Sequence, residues 1–487
     1  MSPKTPHRRI ALPLALAALA LVLVAALPVA GQESDSSPTP SAAPSATPSI
    51  AASPSATADA CVEPEPSTEP ITDEALSMPE DFRIALFNGV WEGIRDLYVD
   101  PETNGLDWEA IGDEYAPLVI ATDNAHEVYQ LLDEMVGLLD DPFTGYFAPE
   151  ELGDPAAFDP SYGGIGALLD TSAAGEDSPG LRIVYVFEGG SAQEAGMRAR
   201  DSIVGVEGDA CARIADIRGP EGTEVTLTIV SPGQEPREVT LERRRIDPRI
   251  LPEVRRLEAD PGVGYLQVLA LSGQEAIDGI EQALTTLLRD DPLEGLILDL
   301  RASNQGAPAV VIETLRTFVE GSVGEFHSRL GNEPIEIEPN DLAEAYADIP
   351  LVVLVDEETE ADAEQLAAIL QDQGRALVVG AQTSGQTHGT TGVDFADGSR
   401  LQIVSFGFQL PDGETLEGVG VTPDVAVEAD WLSYPESADP FLLAALEAIE
   451  SGLAAPSSPT PSPSPSAERA PSVEPWPAGV PAASPAG

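Results

Sequence analysis

Apolar residues recur at helical spacing in the first part of the folded chain. In Glu80–Leu97 they fall three or four residues apart, which predicts an amphipathic helix. Asp107–Leu118 and Ala125–Leu139 look similar and predict two more helices. Residues 71–153 are therefore expected to form a small helical region, and they contain no catalytic constellation of their own.

The hydrophobic pattern changes to strand-like alternation over residues 154–247. Gly222–Ser231 and Arg237–Ile246 alternate apolar and polar side chains, which predicts two β-strands. Before them, a glycine-rich loop runs into another predicted strand. The loop amides could hold the carboxylate of a peptide C-terminus, although an ordinary turn would have the same composition. The candidate peptide-binding residues are Gly163, Gly164, Ile165 and Gly166.

Short apolar runs and helical patterns alternate over residues 248–435. Val263–Leu271 and Leu293–Arg301 predict strands, and Gln274–Arg289 and Ala307–Val319 predict helices. Because strands that alternate with helices form crossover connections, we expect a mainly parallel sheet here.

The segment from Leu351 to Gly392 organises this α/β region. Leu351–Val355 is a β-branched apolar run typical of a buried parallel strand. A helix follows and ends at Gly374, and Ala376–Val379 predicts the next strand. The loop after that strand is rich in glycine and threonine, and an α/β protein commonly places a site in such a loop.

Charge excludes two classes of partner. The 487 residues include 24 Lys and Arg against 83 Asp and Glu, for a formal net charge of −59. This balance argues against nucleic acids and anionic membrane surfaces as partners. It is typical of a solvated acidic surface, and it would also favour cationic peptides. The length allows two or three domains.

The chain begins with a targeting pattern. Lys4, Arg8 and Arg9 precede the apolar run Ile10–Ala30, so residues 1–31 predict a removable signal peptide or an uncleaved membrane anchor. Either alternative places the remainder outside the cytoplasm. Residues 32–70 and 454–487 are rich in Ser, Pro and Ala and predict disordered segments.

The cysteines and histidines of the sequence suggest one possible disulfide and no metal-binding cluster. Cys61 and Cys211 are candidates for a disulfide in an exported chain. The four histidines are scattered through the sequence. We therefore predict no metal site and no cofactor.

The order of these parts resembles the tail-specific, or C-terminal processing, serine protease family. The resemblance covers Glu80–Glu428 and rests on the order and spacing of LLDDPFTGYFAPEEL, YGGIGALLD, LEGLILDLR and GVGVTPD. It implies an α/β fold with a crotonase/Clp-protease-like β-α core, an inserted PDZ-like β domain and an N-terminal helical region. It also implies that protein C-terminal segments are the substrates or ligands; the oligomeric state is not predicted.

The family resemblance implies a serine nucleophile, a neutral lysine base and an oxyanion turn, and this sequence departs from all three. The nucleophile position holds Ala361, and the lysine position, 25 residues later, holds Gln386. Thr390 occupies the position of a helper glutamine. In the oxyanion turn Gln305 replaces a glycine, whereas Gly306 is retained. The core contains no lysine that could act as base in its place.

The PDZ-like segment departs from the family pattern as well. Only Asp209–Asp216 remains where the resemblance implies a full helix beside the peptide groove, and Arg200-Asp201 replaces a Gly-Asp turn. A shortened groove wall is expected to weaken capture of a peptide C-terminus.

Three hypotheses follow. The first is a non-catalytic relative that binds peptides or proteins. The second is an active peptidase with a rearranged site, in which His388 or Glu364 serves as base. Its candidate nucleophiles are Thr359, Ser384, Thr387, Thr390 and Thr391. The third is an acyl-CoA hydratase relative, but the sequence lacks the basic nucleotide pocket which that function needs.

Overall fold

The structure is a computed structural model that describes residues 77–149, 162–170, 180–210, 212–245, 249–289, 292–304 and 306–455. The first elements of the described chain are helices. Helix α1 spans Glu80–Leu97, as the hydrophobic spacing predicts, and α2 and α3 span Trp108–Ala121 and Ala125–Gly137. The Asp107 side chain accepts a hydrogen bond from the Ala110 amide at 3.1 Å and so caps the start of α2.

Several predictions concern residues outside these ranges. They are the N-terminal targeting segment, the Ser/Pro-rich linker, the C-terminal tail from residue 456 onward, Gln305, and the pair Cys61 and Cys211.

An antiparallel sheet occupies the middle of the chain. Its strand order is β3–β4–β5–β7–β8, so β3 and β8 form its edges. The short strand β1 (Gly145–Phe147) precedes it in the chain and belongs to a different sheet. The elements of this segment are β2 (Tyr162–Gly163), β3 (Ala167–Asp170), β4 (Leu181–Val186), α4 (Ser191–Glu194), β5 (Ser202–Val206), α5 (Ile214–Ile217), β6 (Gly219–Pro220), β7 (Glu224–Val230) and β8 (Arg237–Glu242).

The remaining elements form the core of the molecule. In chain order they are β9 (Glu253–Arg256), β10 (Val263–Gln267), α6 (Gly273–Leu287), β11 (Gly295–Asp299), α7 (Pro308–Leu315), β12 (Gly321–Ser328), β13 (Gly331–Ile337), α8 (Ala343–Tyr346), β14 (Leu351–Val355), α9 (Asp362–Asp372), β15 (Leu377–Gly380), β16 (Gly389–Asp394), β17 (Arg400–Gln409), β18 (Val425–Ala426) and α10 (Pro440–Glu450).

The predicted mainly parallel sheet is present, with strand order β18–β15–β14–β11–β10–β9. All its neighbouring pairs are parallel except β10 with β9. Strands β10, β11 and β14 are buried along their whole length, as their mostly apolar sequences predict. Helix α9 is buried from Asp362 to Leu370 and packs on this sheet within the largest apolar cluster.

The structure contains a second, antiparallel sheet that the local hydrophobic periodicity does not predict. It contains the order β1–β17–β12–β13, with β16 also paired to β17. The prediction of a loop after residue 380 was wrong for Gly389–Asp394, which is strand β16. The sheet also packs against the N-terminal helices, because Leu401 and Ile403 of β17 belong to their apolar cluster.

The core also extends past the predicted boundary at residue 435. Phe441, Leu442 and Ala445 of α10 are buried against the parallel sheet. Over the described residues, we find no helix whose length and hydrophobicity would let it cross a membrane.

Candidate active site

The turn between β14 and α9 holds its backbone in a rare conformation. Ala361 has φ 52° and ψ −123°, a region that non-glycine residues seldom occupy and that costs about 1–3 kcal/mol. Its amide donates to the carbonyl of Gln386 at 2.9 Å. The structure therefore brings together the two positions predicted for nucleophile and base, at the start of α9.

The turn after β11 lies against this residue. Ala302 also has a positive φ, 56°, and the Ser303 carbonyl accepts a hydrogen bond from the Glu360 amide at 2.9 Å. Gly306 packs against Asp362 so closely that an added Cβ would lie 2.3 Å from the Asp362 Cβ. A side chain at Gly306 would therefore push the two turns apart.

The loop that carries Gln386 is anchored by one buried carboxylate. Glu364 of α9 accepts hydrogen bonds from the Thr383 hydroxyl at 2.5 Å, the Gly385 amide at 2.7 Å, the Gln386 amide at 2.9 Å and the Ser384 hydroxyl at 3.4 Å. Burial raises the pKa of Glu364, and these donors oppose the rise. Glu364 is thus occupied as a structural acceptor, which argues against its candidacy as a general base.

Acidic groups flank the predicted nucleophile position. The Glu360 carboxyl is the acceptor of a long contact, 3.5 Å, from the Gln386 side-chain amide. Burial, followed by the negative charges of Glu358, Glu364 and Asp356, raises the pKa of Glu360 to about 7. Burial raises the pKa of Asp362 to about 7 as well, although a hydrogen bond from its own backbone amide opposes the rise. Both carboxyls therefore titrate near neutral pH.

Thr359 is not placed to attack a substrate. It is 0% exposed, and its hydroxyl accepts from the Asp356 amide at 2.9 Å and lies 3.0 Å from the Leu300 carbonyl. These bonds tie the turn after β14 to the strand beside it. The expectation that Thr359 could replace the serine is not supported by this geometry.

The other candidate hydroxyls also have partners. Thr390 accepts from the Gln402 side chain, and Thr391 shares a hydrogen bond with Ser405 at 2.7 Å. The Thr387 hydroxyl donates to Glu417 at 3.2 Å.

His388, the predicted alternative base, is partly exposed. Its side chain is 23% exposed, its Nδ1 lies 3.7 Å from the Glu417 carboxylate, and its ring centroid is 6.2 Å from that of His327. Burial and the neighbouring His388 lower the pKa of His327. His388 thus has an acidic partner, but no candidate hydroxyl shares a hydrogen bond with its ring in the ranges that the structure describes.

A buried ionic cluster lies beneath the two turns, and sequence reasoning missed most of it. We call it the ionic floor: Asp299, Arg301, Asp439, Arg200 and Trp431. Arg301 is 0% exposed and donates to Asp299 at 2.6 Å and to Asp439 at 2.9 Å. Arg200 donates to the same Asp439 at 2.8 Å. Burial opposes ionisation of Asp439, but Arg301 and Arg200 outweigh it and lower its pKa.

The ionic floor is joined to both turns. The guanidinium of Arg301 lies 4.2 Å from the Trp431 ring centroid, and the Trp431 indole donates to Asp356 at 2.8 Å. Asp356 also accepts from the Ala302 amide at 2.9 Å and the Thr359 hydroxyl at 3.0 Å. One available signal was Arg200 itself, because an arginine in a glycine-like turn with φ 77° needs compensating contacts.

The glycine-rich loop lies at the edge of the antiparallel sheet. The Gly164 amide is used by the Arg244 carbonyl, whereas the amides of Ile165 and Gly166 donate to no group within the described ranges. Helix α5, Ile214–Ile217, has four residues and begins within the short predicted segment Asp209–Asp216. No group of three or more His, Cys, Asp or Glu residues suited to a metal ion is found among the described residues.

Comparison with known proteins identifies the family of this chain. Residues 262–427 match the model of peptidase family S41, and residues 79–137 match that of the tricorn protease C1 domain. A carboxyl-terminal-processing protease of Synechocystis is 30% identical over 401 residues, which cover 79% of this chain and 90% of the relative. The chain belongs to peptidase family S41.

Two further C-terminal processing proteases are similar to this chain. The chloroplastic carboxyl-terminal-processing peptidase 2 of Arabidopsis thaliana is 29% identical, over 73% of this chain and 70% of its own length. The solved structure of a photosystem II D1 C-terminal processing protease superposes with a TM-score of 0.50 at 26% identity, covering 71% of this chain and 93% of that one. The mixed helix and sheet architecture is therefore that of S41 C-terminal processing proteases.

Proposed function

We propose that this S41 protein is exported and binds polypeptide segments without cleaving them. The observation that carries the proposal is the turn at Ala361. Its strained backbone and its contact with Gln386 are the geometry that a nucleophile and its base would need. The side chains, however, are a methyl group and an amide, which can neither attack a carbonyl nor accept a proton at neutral pH.

The environment of Gln386 supports the same proposal. A catalytic lysine must be neutral to act as a base, and a nearby carboxylate favours its charged form. Glu360 lies 3.5 Å from the Gln386 amide, so the site contains a group that would oppose lysine chemistry. The residues at positions 360, 361 and 386 are therefore all consistent with an absence of hydrolysis.

We further propose that the antiparallel sheet is the PDZ-like unit and that it contributes to peptide binding. Strand β3 is an edge strand, to which an extended peptide can add. The Ile165 and Gly166 amides beside it, which donate to no described group, are the candidates to bind a terminal carboxylate. Residues 71–153 would be the family's N-terminal helical region.

The second candidate function is a peptidase with a rearranged site, and the proximity of His388 to Glu417 is the observation that favours it. The test uses the full chain, produced in a host without its own C-terminal processing proteases. An unstructured peptide with a free C-terminus and a serine-reactive fluorophosphonate are the two probes. We expect binding of the peptide, no hydrolysis and no covalent labelling.

Matched reagents separate the outcomes. The same peptide with an amidated C-terminus should bind more weakly if the loop amides hold the carboxylate. Hydrolysis that disappears in His388→Ala or Thr359→Ala would establish the rearranged peptidase. A protein that neither binds nor cleaves the peptide would contradict both functions.

A further inference from the structure

Two buried polar atoms at the turns lack a hydrogen-bond partner among the described residues. The Ser303 hydroxyl and the Asp362 Oδ1 form no hydrogen bond to any described residue, although Ser303 is 0% and Asp362 is 9% exposed. Buried polar atoms are nearly always paired, so each unpaired atom costs free energy in the unliganded protein. Unpaired groups of this kind are expected where a ligand supplies the missing partner.

The two atoms belong to opposite sides of one narrow junction. The Ser303 carbonyl accepts the Glu360 amide at 2.9 Å, and Gly306 packs directly on Asp362. The junction also borders Ala361 and Gln386. We call the group formed by Ser303, Glu360 and Asp362 the seam.

Glu360 gives the seam a third acceptor. It is half-buried, and its side-chain contact within the described residues is the long one from Gln386. The charged side chains that act on it, Glu358, Glu364 and Asp356, are all acidic. The seam therefore combines negative charge with acceptors that are not satisfied.

An alkyl ammonium group fits these requirements. It carries one positive charge and three hydrogen-bond donors on a compact head, whereas a guanidinium is a wider planar fork. A metal ion fits less well, because the described residues hold no cluster of three metal-ligating side chains here. The Gln386 side chain, held by one long contact, can move aside to admit the group.

We propose that the seam binds the ammonium group of a lysine side chain in a polypeptide that lies in the cleft. This inference rests on the proposed peptide-binding function and names the class of segment bound. The formal charge of −59 would draw basic segments toward the cleft, while the seam selects lysine among them.

The test compares an unstructured peptide containing one lysine with the same peptide acetylated at that lysine, by calorimetry on the full chain. Charge-assisted hydrogen bonds typically change affinity about tenfold or more, so acetylation should weaken binding by at least about that factor. Glu360→Gln and Asp362→Asn should each remove most of the difference. The control is Glu357→Gln, an exposed carboxylate in the same turn, which should preserve it.

Each result has a distinct meaning. Equal binding of the two peptides would overturn the seam proposal and leave the peptide-binding function intact. Binding that requires added Ca²⁺ and is lost with EDTA would assign the seam to a metal and also overturn it. Lack of binding by both peptides would overturn the proposed function.

A small probe tests the seam independently of any peptide. Ligand-observed saturation-transfer NMR with n-butylammonium should show binding that Glu360→Gln abolishes. Tetramethylammonium has the same charge without N–H donors and should give no signal. Absence of a butylammonium signal, or an equal signal from tetramethylammonium, would contradict the proposal whatever the peptides do.

Discussion

The ionic floor and the seam lie close together, yet they treat their polar groups in opposite ways. In the floor, every nitrogen of Arg301 that can donate has a carboxylate partner. In the seam, Ser303 and Asp362 each keep an unpaired atom. The charged groups of the floor are paired, as in a structural ion network. The seam contains polar atoms without hydrogen-bond partners, which is typical of a binding site.

Under the proposed function, the difference separates the residues that hold the backbone from the positions that would carry out hydrolysis. The floor, the Glu364 anchor and the strained turn at Ala361 hold the backbone in place. In the proposed function, Ala361 and Gln386 occupy the positions that the family resemblance assigns to nucleophile and base, and Glu360 lies beside them. A fold can therefore keep its site geometry while the function changes.

The largest expected effect comes from breaking the floor. Arg301→Met leaves Asp299 and Asp439 buried without their cation and should lower the free energy of unfolding by about 3–5 kcal/mol. Urea denaturation followed by circular dichroism measures the change. Arg316→Met is the control, because its ion pair with Glu313 is more than one third exposed and should contribute about 0–1 kcal/mol. Equal losses in the two variants would show that the floor does not stabilise the fold.

A substitution in the seam should stabilise the fold, whereas the substitution in the floor should destabilise it. The folded-state pKa of Asp362 is raised from 3.8 to about 7. Its protonated form therefore stabilises the fold below pH 4, and this stabilisation is lost as the pH rises toward 7. Asp362→Asn should raise the free energy of unfolding at pH 8 by about 2–4 kcal/mol relative to wild type, with little change at pH 4.

Urea denaturation at both pH values checks this prediction. Asp341→Asn, at an exposed aspartate, is the control and should show the wild-type dependence on pH. A stability loss in Asp362→Asn at pH 8 would mean that the carboxylate is paired in solution and that the seam is complete.

The Glu364 anchor is expected to have an intermediate effect. In Glu364→Gln, one carboxylate oxygen becomes an NH₂ group that faces N–H donors, so one or two hydrogen bonds to the loop are lost. We expect a destabilisation of about 2 kcal/mol at pH 8 and faster hydrogen exchange at Gly385 and Gln386. Glu357→Gln should leave both unchanged. Unaltered exchange in Glu364→Gln would show that the loop is held by other contacts, such as those to Glu417.

Local patterns predicted the parts of the fold that have strong periodicity. Helix α1, the buried strand β14 and the crossover helix α9 follow from apolar spacing. The family resemblance then aligned Ala361 with Gln386, which the structure places in backbone contact. The hairpin β12–β13 was missed because glycines and charged residues interrupt its alternation, and its partner strand β17 follows much later in the chain.

The contacts that distinguish floor from seam could not be predicted from the sequence. Arg301 meets Asp439 across 138 positions and Arg200 meets it across 239, and neither separation leaves a periodic signal. The unpaired atoms of Ser303 and Asp362 likewise depend on how two turns pack together. Such features arise from tertiary packing, which a local pattern does not encode.

The smallest expected effect, and the sharpest test of the comparison, is restoration of catalysis. The double reversion Ala361→Ser with Gln386→Lys places at the start of α9 the two reactive groups that the family resemblance implies. Glu360 would then lie beside the new lysine and raise its pKa, so that little neutral base is present. Adding Glu360→Ala should raise peptide hydrolysis at pH 8 by about tenfold for each unit by which the lysine pKa falls.

The control replaces Glu360→Ala with Glu357→Ala in the same double reversion and should give no gain. An active double variant that Glu360→Ala does not improve would show that the seam carboxylate does not oppose lysine chemistry. A triple variant that is correctly folded but inactive would point to the turn after β11, where the family resemblance implies a proline and a glycine at the positions of Asn304 and Gln305. In that case this turn also lacks a catalytic geometry, and the parts that would support catalysis are limited to the floor, the Glu364 anchor and the turn at Ala361.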